Sequence, residues 1–265
     1  MYIVWATDIH LNFLNKPGRE QFLRSIVQHD PDAVFITGDI AEAPTLHFHL
    51  QEMQEAIQKP IYFVLGNHDY YYGSIQDVRS AMRHLSESRQ GLTYLDGSQV
   101  IQLTKNTGLV GQDGWGDGRL GNAEQTPVRL NDFRLIEELK ILEYGQLLER
   151  LGKLGDESAA SIRETLSEAL GLYEHVVFLT HVPPFKEACW YQGQVGNDDW
   201  LPFFTCKAVG DVLSELMKER VDRQLTVLCG HTHHEGIAQI LPNLRVCTGS
   251  ADYGAPYVQD VLKID

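Results

Sequence analysis

The chain has 265 residues, 43% hydrophobic and 22% charged, a balance that suits one large or two tightly joined globular units and excludes disordered, collagen-like and coiled-coil chains. With 36 acidic against 22 basic residues it carries a formal charge of −14 and no local cluster of Lys and Arg, which disfavours nucleic acid and anionic lipid as partners. The longest apolar run, Met1 to Ala6, is far shorter than a bilayer requires, so no membrane segment is expected.

Tyr2 to Ala6 reads as a strand that gives way to Thr7-Asp8-Ile9-His10. Because chemistry-bearing residues follow so soon and no basic segment precedes them, a cleavable leader is not expected. Glu20 to His29 predicts a helix closed by Pro31, and Ala33 to Ile36 a strand running into Thr37-Gly38-Asp39. Thr45 to Gln58, with Leu50, Met53 and Ile57 on one face and Pro60 as its stop, predicts a second helix before the strand Ile61 to Leu65 and its end, Gly66-Asn67-His68-Asp69. Ser74 to Asp77 opens a third helix as a capping-box variant, with an apolar stripe of Val78, Met82 and Leu85. From 113 to 172 no strand pattern emerges: a Gly-rich loop (113–121) leads into helices expected near 131–151 and 157–170. Two further strands, Val176 to Leu179 and Leu225 to Cys229, end in Thr180-His181 and Gly230-His231-Thr232-His233.

Strands alternating with helices predict α/β sheets whose carboxyl ends converge on one ligand-binding edge. In an extended segment residues i and i+2 point the same way, so Asp8 with His10, and His231 with His233, each present two donors to one site. Asp39, Asn67 and His181 arrive singly, giving seven nitrogen and oxygen donors, more than one ion needs. Two metal ions are therefore expected, bridged by Asp39, whose carboxylate has an oxygen for each. The share of imidazole argues against Mg or Ca alone and for Mn, Fe or Zn. Cys189, Cys206, Cys229 and Cys247 form no C-x-x-C pair and read as reduced thiols of a cytoplasmic chain.

The order D-x-H, G-D, G-N-H-D, H, G-H-x-H, running from residue 8 to 233, resembles the calcineurin-like metallophosphoesterases. The resemblance implies a four-layer αββα sandwich of two mixed sheets flanked by helices, a single domain over 1–265. By motif position it implies one metal on Asp8, His10, Asp39 and His233, and a second on Asp39, Asn67, His181 and His231. A water shared by two such ions attacks phosphorus near neutral pH, and His68, expected to point away from Asn67 toward the substrate, serves as general acid. Asp69 either orients His68 or shapes the turn.

Departures from the family's branches narrow the substrate. Ile40-Ala41-Glu42 lacks the arginine that protein serine/threonine phosphatases carry after this block, the purple acid phosphatase tyrosine is absent, and lipid A precursor hydrolases resemble G-N-R-D where this chain has Gly66-Asn67-His68-Asp69. What remains resembles the bacterial cyclic nucleotide phosphodiesterase and general phosphoesterase branches, with small phosphate esters as substrates. DNA repair nucleases share the blocks, but 113–172 carries 12 acidic against 7 basic residues, the wrong sign for a nucleic-acid groove. A catalytically silent scaffold would be expected to have lost donors. The 113–172 insert reads as a cap, with Trp115 and Arg119 contacting substrate, or as a helical hairpin closing one edge. Tyr70, followed by Tyr71 and Tyr72, and the pair Trp190 and Trp200 are candidate walls for an aromatic group.

Overall fold

A computed structural model describes residues 1–265. In chain order its elements are β1 (Tyr2–Ala6), α1 (Lys16–Gln28), β2 (Ala33–Thr37), α2 (Ala43–Ile57), β3 (Ile61–Val64), α3 (Ile75–Ser88), β4 (Leu92–Tyr94), β5 (Ile101–Gln102), β6 (Thr107–Gly111), α4 (Asp132–Leu135), α5 (Tyr144–Leu172), β7 (His175–Leu179), β8 (Trp190–Tyr191), β9 (Gln194–Val195), α6 (Leu201–Phe204), α7 (Lys207–Glu219), β10 (Gln224–Cys229), β11 (Gly236–Leu241), β12 (Leu244–Thr248) and β13 (Asp260–Lys263). No helix is long and apolar enough to cross a membrane.

One sheet has the order β13-β1-β2-β3-β4, parallel from β1 to β4 with β13 antiparallel at its edge. The other runs β11-β12-β10-β7-β6-β5, its four central strands parallel and both edge strands antiparallel. The central strands are apolar on both faces because both faces are covered. Ile3, Trp5, Phe35, Val64, Val177, Leu179 and Leu228 fill the space between the sheets. Their neighbours along the strands turn outward, Val4, Ala6, Val34, Ile36 and Phe63 toward α1, α2 and α3, and Val176, Phe178, Val227 and Cys229 toward α5 and α7. The result is the expected four-layer αββα sandwich, and it brings the carboxyl ends of both parallel sets to one edge.

The helices begin earlier than the apolar periodicity suggests. Helix α1 starts at Lys16 because Asn15 caps Gly18 N–H at 3.0 Å and Pro17 suits a first turn; α2 likewise opens on Ala43-Pro44. Ser74 caps α3 as expected, accepting from Asp77 N–H at 3.2 Å. Its second capping group, however, comes from the insert: Glu138 accepts from Ile75 N–H at 2.9 Å and Gln76 N–H at 3.2 Å. The two expected helices at 131–151 and 157–170 are replaced by short α4 and one 29-residue helix, α5. Gly152 and Gly155 do not interrupt it. At Gly155 a methyl group would lie 2.6 Å from Asp117 Cβ, so glycine there allows the chain after β6 to press against the helix. Along α5, Leu147, Leu151 and Leu154 join the first core while Ile162, Leu166 and Ala169 join the second. The long helix of the insert is thus built into the outer layer.

Candidate metal centre

All seven predicted donors meet at the shared carboxyl edge. Asp8, Asp39 and Asn67 follow β1, β2 and β3; His181 follows β7; His231 and His233 follow β10. Asp8, His10, Asp39 and His233 place one ligand atom each within 4.8 Å of one another. In this group His233 Nε2 lies 3.3 Å from Asp8 Oδ1, and His10 Nε2 lies 3.4 Å from His233 Nε2 and 3.7 Å from Asp39 Oδ2. On the other side of Asp39, His181 Nε2 lies 3.4 Å from Oδ1, 3.1 Å from Asn67 Oδ1 and 3.2 Å from His231 Nδ1. One carboxylate therefore turns Oδ2 to the first group and Oδ1 to the second.

The surrounding hydrogen bonds dictate what these atoms can do. His181 Nδ1 donates to Thr37 C=O at 2.8 Å and His231 Nε2 donates to Phe203 C=O at 3.0 Å, which leaves a lone pair on the other nitrogen of each ring. Asn67 Nδ2 donates to Asp132 Oδ1 at 2.9 Å, so its Oδ1 turns inward. Three acceptors, His181 Nε2, His231 Nδ1 and Asn67 Oδ1, then face one another beside the Asp39 carboxylate, an arrangement that a metal cation satisfies. Metal ions fit this donor set.

The backbone is shaped to the same end. Asp8, His10, Asp39, His231 and His233 all have positive φ, between 40° and 70°. This corrects the expectation that the D-x-H and H-x-H pairs lie in extended chain: both converge from left-handed turns just past the strand ends. Non-glycine residues in that region cost energy and persist where the surroundings hold them. Two glycines permit the close approach. A Cβ on Gly66 would overlap Asp39 Oδ1, and one on Gly230 would overlap Asp8 Oδ2 and Thr7 Oγ1. Asp8 is held further by His231 N–H at 3.1 Å and Thr7 O–H at 2.6 Å.

Burial would raise the Asp8 carboxyl, but His181, His233 and His10 outweigh it and hold the group below the usual carboxylate range. Asp39 is pushed well up, first by burial and then by Asp8. That rise is the cost of one buried anion beside another, which a cation between them removes. His10 is pushed down to about 2 by burial and the neighbouring His68, and His231 to about 3 by burial and His181, so both are neutral imidazoles with a lone pair to offer.

His68 is brought to this cluster, although its placement has a different origin from the alternation expected of a strand: residues 68–70 form a 3₁₀ turn. Its N–H donates to Asp39 Oδ1 at 2.9 Å, its ring stacks on Tyr71 at 4.3 Å, and its Nε2 lies 4.0 Å from Asp39 Oδ2. Asp69 makes no contact with the His68 ring. It is fully buried and accepts N–H groups from Ile40 and Ala41, both at 2.9 Å, and Gly66 at 2.8 Å, tying the turns after β2 and β3 together. Tyr70 is fully buried, with its hydroxyl on Asp113 at 2.7 Å, and Trp115 packs inside the first core. Arg119 is engaged by Asp156 at 2.8 Å and Asp117 at 3.4 Å. Tyr70 and Arg119 thus have their polar groups engaged within the protein, while Trp115 lines a small pocket together with Asn67, Asp132 and His231.

Two residues escaped the sequence reading. Asp132, buried at the start of α4, orients Asn67 and accepts Tyr71 O–H at 2.7 Å, yet its sequence context is that of an ordinary acidic loop. Tyr253 lies past β12, with its ring 4.6 Å from that of His10 and 4.9 Å from that of His233, and its hydroxyl 3.5 Å from His68 Nε2. The strand end Thr248-Gly249-Ser250 is a signal that could have drawn attention to it.

Fold and donor set together define a metal-dependent hydrolase of phosphate esters. The profile of the calcineurin-like phosphoesterases matches residues 1–235, and the chain belongs to that family. It is a metallophosphoesterase that works with two divalent ions. Among solved structures it is similar to the phosphopantetheinyl hydrolase of Mycobacterium tuberculosis, at 14% identity and a TM-score of 0.67 over 97% of this chain and 94% of that one. It is also similar to a dimetal phosphatase from Danio rerio, at 15% identity and a TM-score of 0.60 over 96% and 88%. At such identities these two likenesses speak for the fold alone. No curated protein matches the chain by sequence.

Proposed function

We propose that the chain hydrolyses small phosphodiesters, cyclic nucleotides among them, or phosphomonoesters, with one ion on Asp8, His10, Asp39 and His233 and the other on Asp39, Asn67, His181 and His231. The observation that carries this reading is Asp39, whose two oxygens face two separate sets of lone pairs. Bound there, Mn, Fe or Zn would supply Lewis acidity toward phosphoryl oxygens and a nucleophilic water near neutral pH. A bond forms from the water oxygen to phosphorus, the bond from phosphorus to the leaving oxygen breaks, and that oxygen takes a proton from His68. In the free chain burial and His181 push His68 down to about 3. An anionic phosphate beside the ring acts in the opposite direction, so the acid form belongs to the substrate complex. Tyr253 O–H, within reach of His68 Nε2, positions the imidazole.

The four cysteines are unpaired, which supports a cytoplasmic setting. Helix α5 packs its first half on one core and its second half on the other, which supports a single domain over 1–265, with 113–172 contributing Asp132 to the centre. The test is hydrolysis of a chromogenic phosphodiester and its monoester with Mn added, by wild type and Asp39→Ala. The wild type is expected to turn over at least one ester and Asp39→Ala neither; equal rates would overturn the reading.

A further inference from the structure

Beside the donor cluster lies a cleft of about 470 Å³ that the hydrolytic reading leaves without a role. It is lined by Trp190 and Tyr191 from β8, Trp200 just before α6 and Phe204 at its end, Tyr253, and His233 of the donor cluster. No Lys, Arg, Asp or Glu lines it, although the chain carries 58 such residues. Three of the rings stand in solvent: Tyr191 is 58% exposed, Trp200 46% and Tyr253 56%. Clustered exposed aromatics on an otherwise polar, acidic surface mark a binding surface.

The rings are held in place by their surroundings. Tyr191 and Gln194 flank a two-residue hairpin turn, Gln192-Gly193, in which both residues have positive φ, the conformation that matches the twist of a tight ribbon. Trp190 lies against Gly236 so closely that no side chain fits between them. Trp200 packs edge-on to Phe204 at 5.4 Å, and Phe204 lies 4.4 Å from the His231 ring. Tyr191 meets His234 edge-on at 4.9 Å.

We infer that this cleft binds a neutral aromatic ring system, aryl or nucleoside in type, as the leaving group of the phosphate ester. The inference rests on the reading of the donor cluster as the hydrolytic centre, since His233 and Tyr253 belong to both walls and put the ring beside the phosphorus. The absence of Lys, Arg, Asp and Glu from the lining argues against an ionised leaving group, and flat aromatic walls favour a ring over an alkyl arm. The volume falls in the range of ordinary ligand pockets.

The test uses the full chain, and Trp200→Ala, Tyr191→Ala, Trp200→Phe and Tyr191→Phe. Calorimetry with adenosine, and with ribose as a control that lacks the aromatic base, reads the cleft without chemistry. Wild type is expected to bind adenosine and not ribose, the alanine variants to weaken binding roughly tenfold each, and the phenylalanine variants to restore it. Failure of wild type to bind adenosine, or equal binding by the alanine variants, overturns the inference. In the Mn-loaded protein the alanine variants are expected to raise KM for a phenyl phosphate ester roughly tenfold and leave a methyl ester unchanged. An equal loss on both esters overturns the leaving-group assignment. Adenosine binding with the expected variant pattern, in a wild type that hydrolyses neither ester, sinks the hydrolase reading and not the ring site.

Discussion

Replacing Asp132 tests how the insert and the metal centre are joined. Its Oδ1 accepts two bonds inside the protein, from Asn67 Nδ2 at 2.9 Å and Tyr71 O–H at 2.7 Å. Asp132→Ala leaves the Asn67 amide held only by the longer bond from its Nδ2 to Tyr71 Oη at 3.3 Å, so that its oxygen is less firmly aimed at the second donor group, and leaves Tyr71 O–H without its acceptor. A hydrogen bond to a charged group contributes roughly 1.5–3 kcal/mol, which corresponds to a loss of about 10- to 100-fold in affinity for an ion that needs the amide oxygen. The same range is typical when a partner behind a metal ligand is removed. Asp132 makes its side-chain hydrogen bonds to Asn67 and Tyr71, on the side of the second donor group, so titration calorimetry with Mn or Zn should show one binding step weakened well beyond the other. Asp132→Asn, which retains an acceptor oxygen, should fall between wild type and Asp132→Ala. Two unchanged steps would refute the role given to Asp132, and a matching loss of both would show that the variant had collapsed the edge instead of releasing one ligand.

Asp69→Asn keeps the acceptor for Ile40 and Ala41 but sets an NH₂ group against Gly66 N–H. One unsatisfied buried donor costs about 1–3 kcal/mol, so thermal melting should shift down by roughly 2–5 °C for a chain of this size. An unchanged melt with slowed catalysis would instead assign Asp69 to the His68 ring. His68→Ala should slow hydrolysis about 10²- to 10⁴-fold, with the deficit shrinking as the leaving group becomes more acidic. A deficit independent of the leaving group would exclude the acid role. Removing metal with a chelator should lower the melting temperature, because the ions bind the folded donor set far better than the unfolded chain. Restoring Mn should raise it again, and an Asp39→Ala melt that still responds fully to Mn would count against the bridge.

How much of this was legible beforehand follows from the range of each interaction. The strands could be read because each is a short, nearly continuous apolar run, and such runs arise when a sheet is covered on both faces. Their ends could be read because Gly, Asp, Asn and His concentrate there. Glycine stands at 66 and 230 within one or three residues of a donor, so the strand ends could be recognised even though the groups that crowd those glycines, Asp39 and Asp8, come from other strands. Local chemistry is encoded locally, so Asp8, His10, Asp39, Asn67, His181, His231 and His233 could be named without coordinates, and the family resemblance divided them into two groups.

What needed tertiary structure is whatever depends on chain segments far apart. That the D-x-H and H-x-H pairs converge through left-handed turns is set by contacts from the neighbouring sheet, such as His231 N–H on Asp8, which no spacing reveals. Asp69 is legible as polar but not as the tie between two turns, because Ile40 and Ala41 lie about thirty residues upstream. Asp132 reaches Asn67 across 65 positions, and Tyr253 reaches His68 across 185. The single helix α5 could not be told from two because its glycines serve the approach of Asp117. The sequence alone thus determined the layered α/β fold and the donors of its centre, since both are written in short runs and adjacent residues. Only the tertiary structure decided which groups orient those donors and which aromatic rings face the same cleft, since those partners meet through packing between elements.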